Sequence, residues 1–564
     1  MFDKFSFQQR EAFFLFSYAV QVFGGLLLPD KNLFIKGNLL PSNVEEMVND
    51  IRDRHMDIWR QIFVNGSSLL YEDHRFYNTL WRSGDYFQYI HQIYLLFCDF
   101  ISRYRDIIFF NYKFSDTQHY WLDECVSIVN PANYFFTNPV ALSAYIKTSG
   151  ETLCRGFKML YKDICQIDIG RVPDGCFKVG HNLATTPGNI VLKTDLYELI
   201  FYNQPCPKRP PVMIFPPCIN KFYILDLQKE NSLVQFCISQ NYPVFMLSWR
   251  SMKPDQADYN LKDYVYALID CISFVREATG YDKIHVLGYC ISGFFLIISL
   301  MIMSLNKLDW VCSATLLVSV INSSYSGILG SFVQEGTIDA IKRRTETDPI
   351  IYGYELAWIF AFIRSEDLIW SYVRRRYLLG EESKPFDILA WNADHTNITA
   401  KMFIEYLELL YMRNVLMSTE SFLWEGLHLS GGMISCPIYM VSCLMDNIVP
   451  WNSVYFGMSA FPNADIRFVL SSAGHTAGVV SPPNHSKRFY YSENYKLGDR
   501  AFSSSEEEIL SSPKHSGSWW LDWAEWMHNI SSFKRHDVDS SYTHLSEAPG
   551  TYVFESSRRM RGAC

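Results

Sequence analysis

Ile284-His285-Val286-Leu287-Gly288-Tyr289-Cys290-Ile291-Ser292-Gly293-Phe294-Phe295 is the stretch that decides the fold. Residues 284–287 form an apolar run that ends at Gly288. Two positions on comes Cys290, then small residues, then a second apolar run that continues through Met303. This is the order strand, tight turn, helix. Small residues suit a turn whose flanking backbones pass close together. A thiol on such a turn is lifted above the end of a sheet. By itself, a cysteine in an apolar segment is most often a packed small hydrophobe, so its meaning depends on what the rest of the chain supplies. Ser292 is a poorer centre for the turn, because Cys290 rather than glycine precedes it by two and Phe294 follows it by two.

Outward from this turn the same rhythm repeats. Residues 191–202 alternate like a strand, with 211–215 as the expected partner. Residues 243–249, 314–320, 437–443 and 467–471 are further apolar runs of strand length, and 261–279 is an amphipathic helix. Strands alternating with helices predict an α/β fold with a mostly parallel, doubly wound sheet. Between about residues 323 and 430 the strand rhythm stops, and the charged, aromatic-rich segment predicts a helical cap inserted over the active-site end of the sheet. Earlier in the chain, 44–63 and 86–105 carry apolar residues three or four apart, as helices do. The expected organisation is a helical N-terminal domain over 1–175, a catalytic domain over 176–535 that contains the cap, and a polar tail over 536–564.

Composition narrows the function classes. A chain of 564 residues that is 49% hydrophobic is globular and large enough for two or three domains. A net charge of −9 with no dense basic stripe argues against a nucleic-acid partner. It also gives an anionic substrate no general attraction, so a local basic patch would have to do that. The 14 cysteines are scattered, with no Cys-x-x-Cys and no Cys/His cluster at zinc spacing, which fits free thiols in a reducing cytoplasm and no bound metal. Mixed charge before the first apolar stretch predicts no secretory signal. That stretch, residues 12–29, is nearly long enough to span a bilayer, but Ser17, Gln21 and the Gly24-Gly25 pair favour a docked or interfacial helix.

The turn at Cys290 resembles the nucleophile elbow of α/β-hydrolases, with sulfur where a serine hydroxyl is usual. That fold needs an acid and then a histidine downstream. Asp446 follows the run 437–443, and His475 follows 467–471 within Gly474-His475-Thr476-Ala477-Gly478. Order, strand-end placement and local glycines assemble Cys290, Asp446 and His475 into one candidate triad. His475 would take the thiol proton, and Asp446 would orient His475 or help deprotonate an incoming hydroxyl. The oxyanion would be held by the backbone N–H of Ile291 and by one from the loop after Phe215, near Cys218. Acyl transfer from a thioester onto Cys290 is close to thermoneutral, since one thioester replaces another.

With their flanks, these residues are similar to polyhydroxyalkanoate synthases, particularly the class I, short-chain type. The resemblance rests on Asn182-Leu183-Ala184-Thr185-Thr186-Pro187-Gly188, on Pro216-Pro217-Cys218-Ile219-Asn220-Lys221-Phe222-Tyr223, on Ser248-Trp249-Arg250, on Pro385-Phe386-Asp387-Ile388-Leu389-Ala390-Trp391 and on Gly517-Ser518-Trp519-Trp520-Leu521-Asp522-Trp523. It implies polymerisation of (R)-3-hydroxyacyl-CoA, here 3-hydroxybutyryl-CoA, into a polyester with release of CoA. It implies Cys290 as nucleophile, His475 as base and Asp446 as catalytic aspartate, with no metal and no cofactor beyond the CoA thioester substrate. It also implies a homodimer that carries the growing polyester at the surface of cytoplasmic storage granules, among granule-associated proteins, with residues 12–29 a candidate for such contacts.

Three positions depart from the family pattern. Ser292 stands where glycine is usual, Asn447 where histidine commonly follows the aspartate, and Met445 where an acidic residue is common. Two other readings share the fold: a thioesterase or depolymerase-type hydrolase, and a catalytically impaired granule-bound paralogue.

Overall fold

The computed structural model describes residues 42–65, 71, 73–111, 116–166, 175–202, 209–382, 384–485, 487–496, 506–530, 533–536 and 542–555. The stretch 12–29 lies outside them. The described residues fall into two compact units: those before residue 115 with 128–140, and 115–127 with everything from 141 onward.

In the first unit, helix Ser42–Arg60 packs along helix Asp85–Asn111. Ile58, Ile62, Ile93 and Leu96 form the buried seam between them, at the three-to-four spacing read from the sequence. Arg54 crosses the pair, donating to Asp99 at 2.6 Å and to Tyr71 Oη at 2.5 Å. Among the described residues, no helix is long and apolar enough to cross a membrane.

The second unit is built on one mixed sheet. Its strands in chain order are β1 (Asn189–Lys193), β2 (Tyr197–Tyr202), β3 (Val212–Phe215), β4 (Val244–Trp249), β5 (Ile284–Tyr289), β6 (Val311–Leu317), β7 (Ile438–Cys443), β8 (Ile466–Ser471), β9 (Phe489–Tyr495), β10 (Lys514–Ser516) and β11 (Ser546–Glu547). Their spatial order is β10-β9-β8-β7-β6-β5-β3-β4-β2-β1-β11. The run from β8 to β4 is parallel throughout. Helices cover both faces, so these strands read as continuous apolar runs. The fold is that of an α/β-hydrolase.

The run 191–202 is a hairpin rather than one strand. Thr194 Oγ1 accepts the N–H groups of Leu196 and Tyr197 and turns the chain there. Its second arm, β2, then pairs antiparallel with β4, while the segment expected beside it, β3, sits between β4 and β5.

Residues 323–430 interrupt the sheet with helices, including Glu335–Thr345, Gly353–Ile363 and Ala400–Tyr406, and with π-helical turns at Val373–Leu378 and Leu407–Met412. The first of these turns is tied to helix Glu151–Gln166. Arg376 donates through Nε and Nη2 to the two oxygens of Asp163, at 2.7 and 3.1 Å, and Tyr377 Oη donates to the same carboxylate. The side chains of the pair are only 9% and 1% exposed, so removing one partner strands a buried charge. Asp163→Ala is therefore expected to lower stability by about 3–5 kcal/mol, read from the urea midpoint. A loss below about 1 kcal/mol, the size of an exposed pair, would show that the contact does not hold the cap.

The stretch after residue 535 returns to the sheet despite its polar composition. β11 pairs with β1, and buried Glu198 accepts Thr551 Oγ1 at 2.6 Å and the N–H groups of Thr551 and Tyr552 at 2.8 and 3.0 Å. Lys193 Nζ completes the set at 2.7 Å.

Candidate active site

Cys290 occupies the turn between β5 and helix Ile291–Leu305, with φ 55° and ψ −122°. A non-glycine residue held there stores about 1–3 kcal/mol of strain. The flanking residues make the turn possible. A Cβ on Gly288 would lie 2.8 Å from Gly293 Cα, and one on Gly293 would lie 1.9 Å from Ser319 Oγ. The Cys290 N–H donates to the Leu317 carbonyl of the neighbouring β6 at 2.9 Å, which pins the turn to the sheet end.

Asp446 lies just beyond β7 and His475 just beyond β8, at the same carboxyl edge of the sheet as Cys290. His475 Nδ1 is 2.7 Å from Asp446 Oδ2. The other carboxylate oxygen accepts the N–H groups of Ile448 and Val449 at 2.8 and 2.9 Å. The Asp446 side chain is fully buried and that of His475 nearly so. Burial alone would lower the imidazole pKa. The Asp446 carboxylate, together with the charge of and a hydrogen bond with Cys290, overrides it and raises His475 to about 10. The three residues picked from the sequence thus meet as one thiol–imidazole–carboxylate relay.

His475 opens the short helix His475–Val479. Two buried tryptophans of the Gly-Ser-Trp-Trp motif brace that helix from below. Trp519 Nε1 donates to the Gly478 carbonyl at 2.8 Å and Trp520 Nε1 to that of Val479 at 3.0 Å.

The two expected oxyanion donors come from the elbow and from the strand paired beside it. Ile291 begins the elbow helix, and Cys218 follows β3 in the adjacent loop. Among the described residues, neither N–H donates to a backbone carbonyl. The Cys218 thiol is buried, and burial followed by the nearby Cys290 pushes its pKa up. Of the departures from the family pattern, Asn447 and Met445 are exposed, whereas Ser292 is fully buried and its Oγ donates to the Pro216 carbonyl at 2.6 Å. Among the described residues, no group of three or more His, Cys, Asp or Glu side chains is arranged to hold a metal ion.

The cap contributes two residues that sequence reading did not single out. Tyr406 packs its ring against Phe294 at 5.5 Å and Tyr411 at 5.9 Å. Burial first, then Tyr411 and Cys290 for Tyr406, and burial then Cys290 for Tyr411 against a lowering hydrogen bond from Tyr406, hold both phenols far above their usual range, so both stay neutral beside the thiol. Positions five apart lie on different faces of an α-helix. Here the π-helical turn Leu407–Met412 carries Tyr411 to Tyr406, and an α-helical periodicity gives no sign of it.

Residues 72–237 match the family model described as poly-beta-hydroxybutyrate polymerase N-terminus, and 211–482 match that of the alpha/beta hydrolase fold. The chain is 32% identical over 494 residues to the poly(3-hydroxyalkanoate) polymerase subunit PhaC of Cupriavidus necator, covering 85% of this chain and 83% of that one. It is 32% identical over 497 residues to the poly(3-hydroxyalkanoate) polymerase of Methylorubrum extorquens, covering 85% and 80%. It is 34% identical over 426 residues to poly(3-hydroxyalkanoate) polymerase 2 of Ectopseudomonas oleovorans, covering 74% and 75%. Among solved structures, the monoacylglycerol lipase of Paleococcus ferrophilus aligns with a TM-score of 0.35 at 12% identity, covering 60% of this chain and all of that one.

Proposed function

Because this chain belongs to the poly(3-hydroxyalkanoate) polymerase family, whose members are acyltransferases, we propose that it builds its polyester from (R)-3-hydroxyacyl-CoA through an acyl-thioester on Cys290. The observation that carries the mechanism is the relay: a thiol on a strained turn, coupled to an imidazole whose other nitrogen lies 2.7 Å from Asp446.

His475 accepts the proton of Cys290, and Sγ attacks the thioester carbon of the substrate. The carbonyl π pair moves onto oxygen, where the N–H groups of Ile291 and Cys218 receive it. As the oxyanion collapses, the bond to the CoA sulfur breaks and His475 returns the proton to that sulfur. The 3-hydroxyl of the next unit then attacks the acyl-Cys290. His475 takes its proton, an ester bond forms, and Sγ leaves as the group that is reprotonated. The carboxylate of Asp446 makes the imidazole a stronger base in both half-reactions. The scheme calls on no metal or cofactor, since the CoA thioester is itself the substrate.

We assign the chain to the class I type, acting on short hydroxyacyl-CoAs as a homodimer at the granule surface. The motifs shared with that class support this reading. A hydrolase on the same scaffold would pass the acyl group to water. Supplied with 3-hydroxybutyryl-CoA, the protein is expected to release CoA in step with high-mass polyester. CoA release with free 3-hydroxybutyrate and no polymer would overturn the synthase reading.

A further inference from the structure

Ser292 sits where the family resemblance leads one to expect glycine, and the structure gives its hydroxyl a partner. Ser292 is fully buried, on the first turn of the elbow helix, and donates through Oγ to the Pro216 carbonyl at 2.6 Å. The same carbonyl accepts Trp249 Nε1 at 2.9 Å. Pro216 and Pro217 have no N–H, so this turn of the loop cannot tie itself to the sheet with its own donors. At Pro216 the tie is made by the two side chains that converge on its oxygen, while beyond Cys218 the Ile219 carbonyl accepts the Thr396 N–H at 3.1 Å. Two residues beyond Pro216 comes Cys218, whose N–H faces no backbone acceptor among the described residues.

We infer that Ser292 is a positioning residue for the oxyanion hole, fastening the loop that carries the Cys218 N–H to the helix that carries the Ile291 N–H. This rests on the reading of Cys290 as the acylated nucleophile. The two donors come from separate pieces of chain, one after β3 and one after β5, and the Ser292–Pro216 hydrogen bond spans the gap between them. Preorganised donors act only if they sit where the oxyanion forms. The contact is not needed merely to satisfy a buried carbonyl, since Trp249 does that already. Removing the hydroxyl therefore leaves no orphaned acceptor and releases only the tie between loop and helix.

The test compares two reactions of the same thiol. CoA release from 3-hydroxybutyryl-CoA passes through an oxyanion, whereas alkylation of Cys290 by iodoacetamide displaces iodide and builds none. In Ser292→Ala, kcat for CoA release is expected to fall about 10- to 100-fold, while KM and the alkylation rate stay within about twofold of wild type. Ser292→Gly removes the same hydroxyl with a different backbone and is expected to show the same split, which keeps the test usable if the alanine variant folds poorly. Unchanged kcat, or a parallel fall in alkylation, would overturn the inference. Failure of the underlying reading looks different: Cys290→Ala would still release CoA at the wild-type rate.

Discussion

Cys290→Ala is expected to cut CoA release from 3-hydroxybutyryl-CoA by about 10⁴- to 10⁶-fold, the range seen when a triad nucleophile is removed. The two nearest alternative nucleophiles among the described residues are not free to replace it. The Ser292 hydroxyl is committed to Pro216, and the Cys218 thiol is buried with its pKa pushed up. The substitution does not relax the turn, because alanine at φ 55° is as constrained as cysteine. Cys290→Gly does relax it, and should be more stable than Cys290→Ala by about 1 kcal/mol while equally inactive. Urea midpoints of the two variants, read beside CoA release, separate strain from chemistry. Residual turnover above one-hundredth of wild type in either variant would remove Cys290 from the mechanism.

Asp446→Asn is expected to cost about 10⁴-fold, as when the carboxylate of a Ser-His-Asp triad becomes an amide. Both Asp446 oxygens are engaged, one by His475 and the other by the backbone N–H groups of Ile448 and Val449. Asp446 is therefore expected to work through His475 rather than by meeting an incoming hydroxyl, so the first acylation and later elongation should fall together. Loss of elongation alone, with single-turnover acylation intact, would contradict this.

The same substitution has a pH signature. His475 is raised from 6.5 to about 10, so its pairing with Asp446 contributes stability that is fully present below about pH 6.5 and is lost as the pH climbs through about 10. In Asp446→Asn the carboxylate is gone while burial, which lowers the imidazole, remains. The fall in Tm of the wild type between pH 6.5 and 10 should accordingly flatten in the variant.

Most of the sheet was legible because its parallel strands are buried on both faces and read as apolar runs. Helix Leu261–Thr279 and strands β3 to β8 fall where periodicity places them, within a few residues. The carboxyl ends of β5, β7 and β8 then locate Cys290, Asp446 and His475 without further information. The hairpin of β1 and β2 was hidden because Thr194 turns the chain inside a stretch that still alternates. β9, toward the flank of the sheet, runs from three aromatics (Phe489, Tyr490, Tyr491) into Ser492, Glu493 and Asn494, and β11 is two polar residues long. Neither has the apolar density that marks a central strand. Tyr411 and the Pro216 contact of Ser292 depend on a π-helical turn and on a loop crossing, and no local pattern encodes either.

The clasp between β1 and β11 also sets an order of events. Thr551 donates to Glu198 across 353 positions of chain, and Glu198 is fully buried only once Thr551 and Tyr552 have arrived. During synthesis, β2 and its neighbour must wait with an undersupplied carboxylate while the cap, the elbow and the histidine loop are still being made. Closure over so long a separation is slow. The flank of the sheet thus cannot be sealed until Thr551 and Tyr552 have been made, after Cys290, Asp446 and His475 are all in the chain.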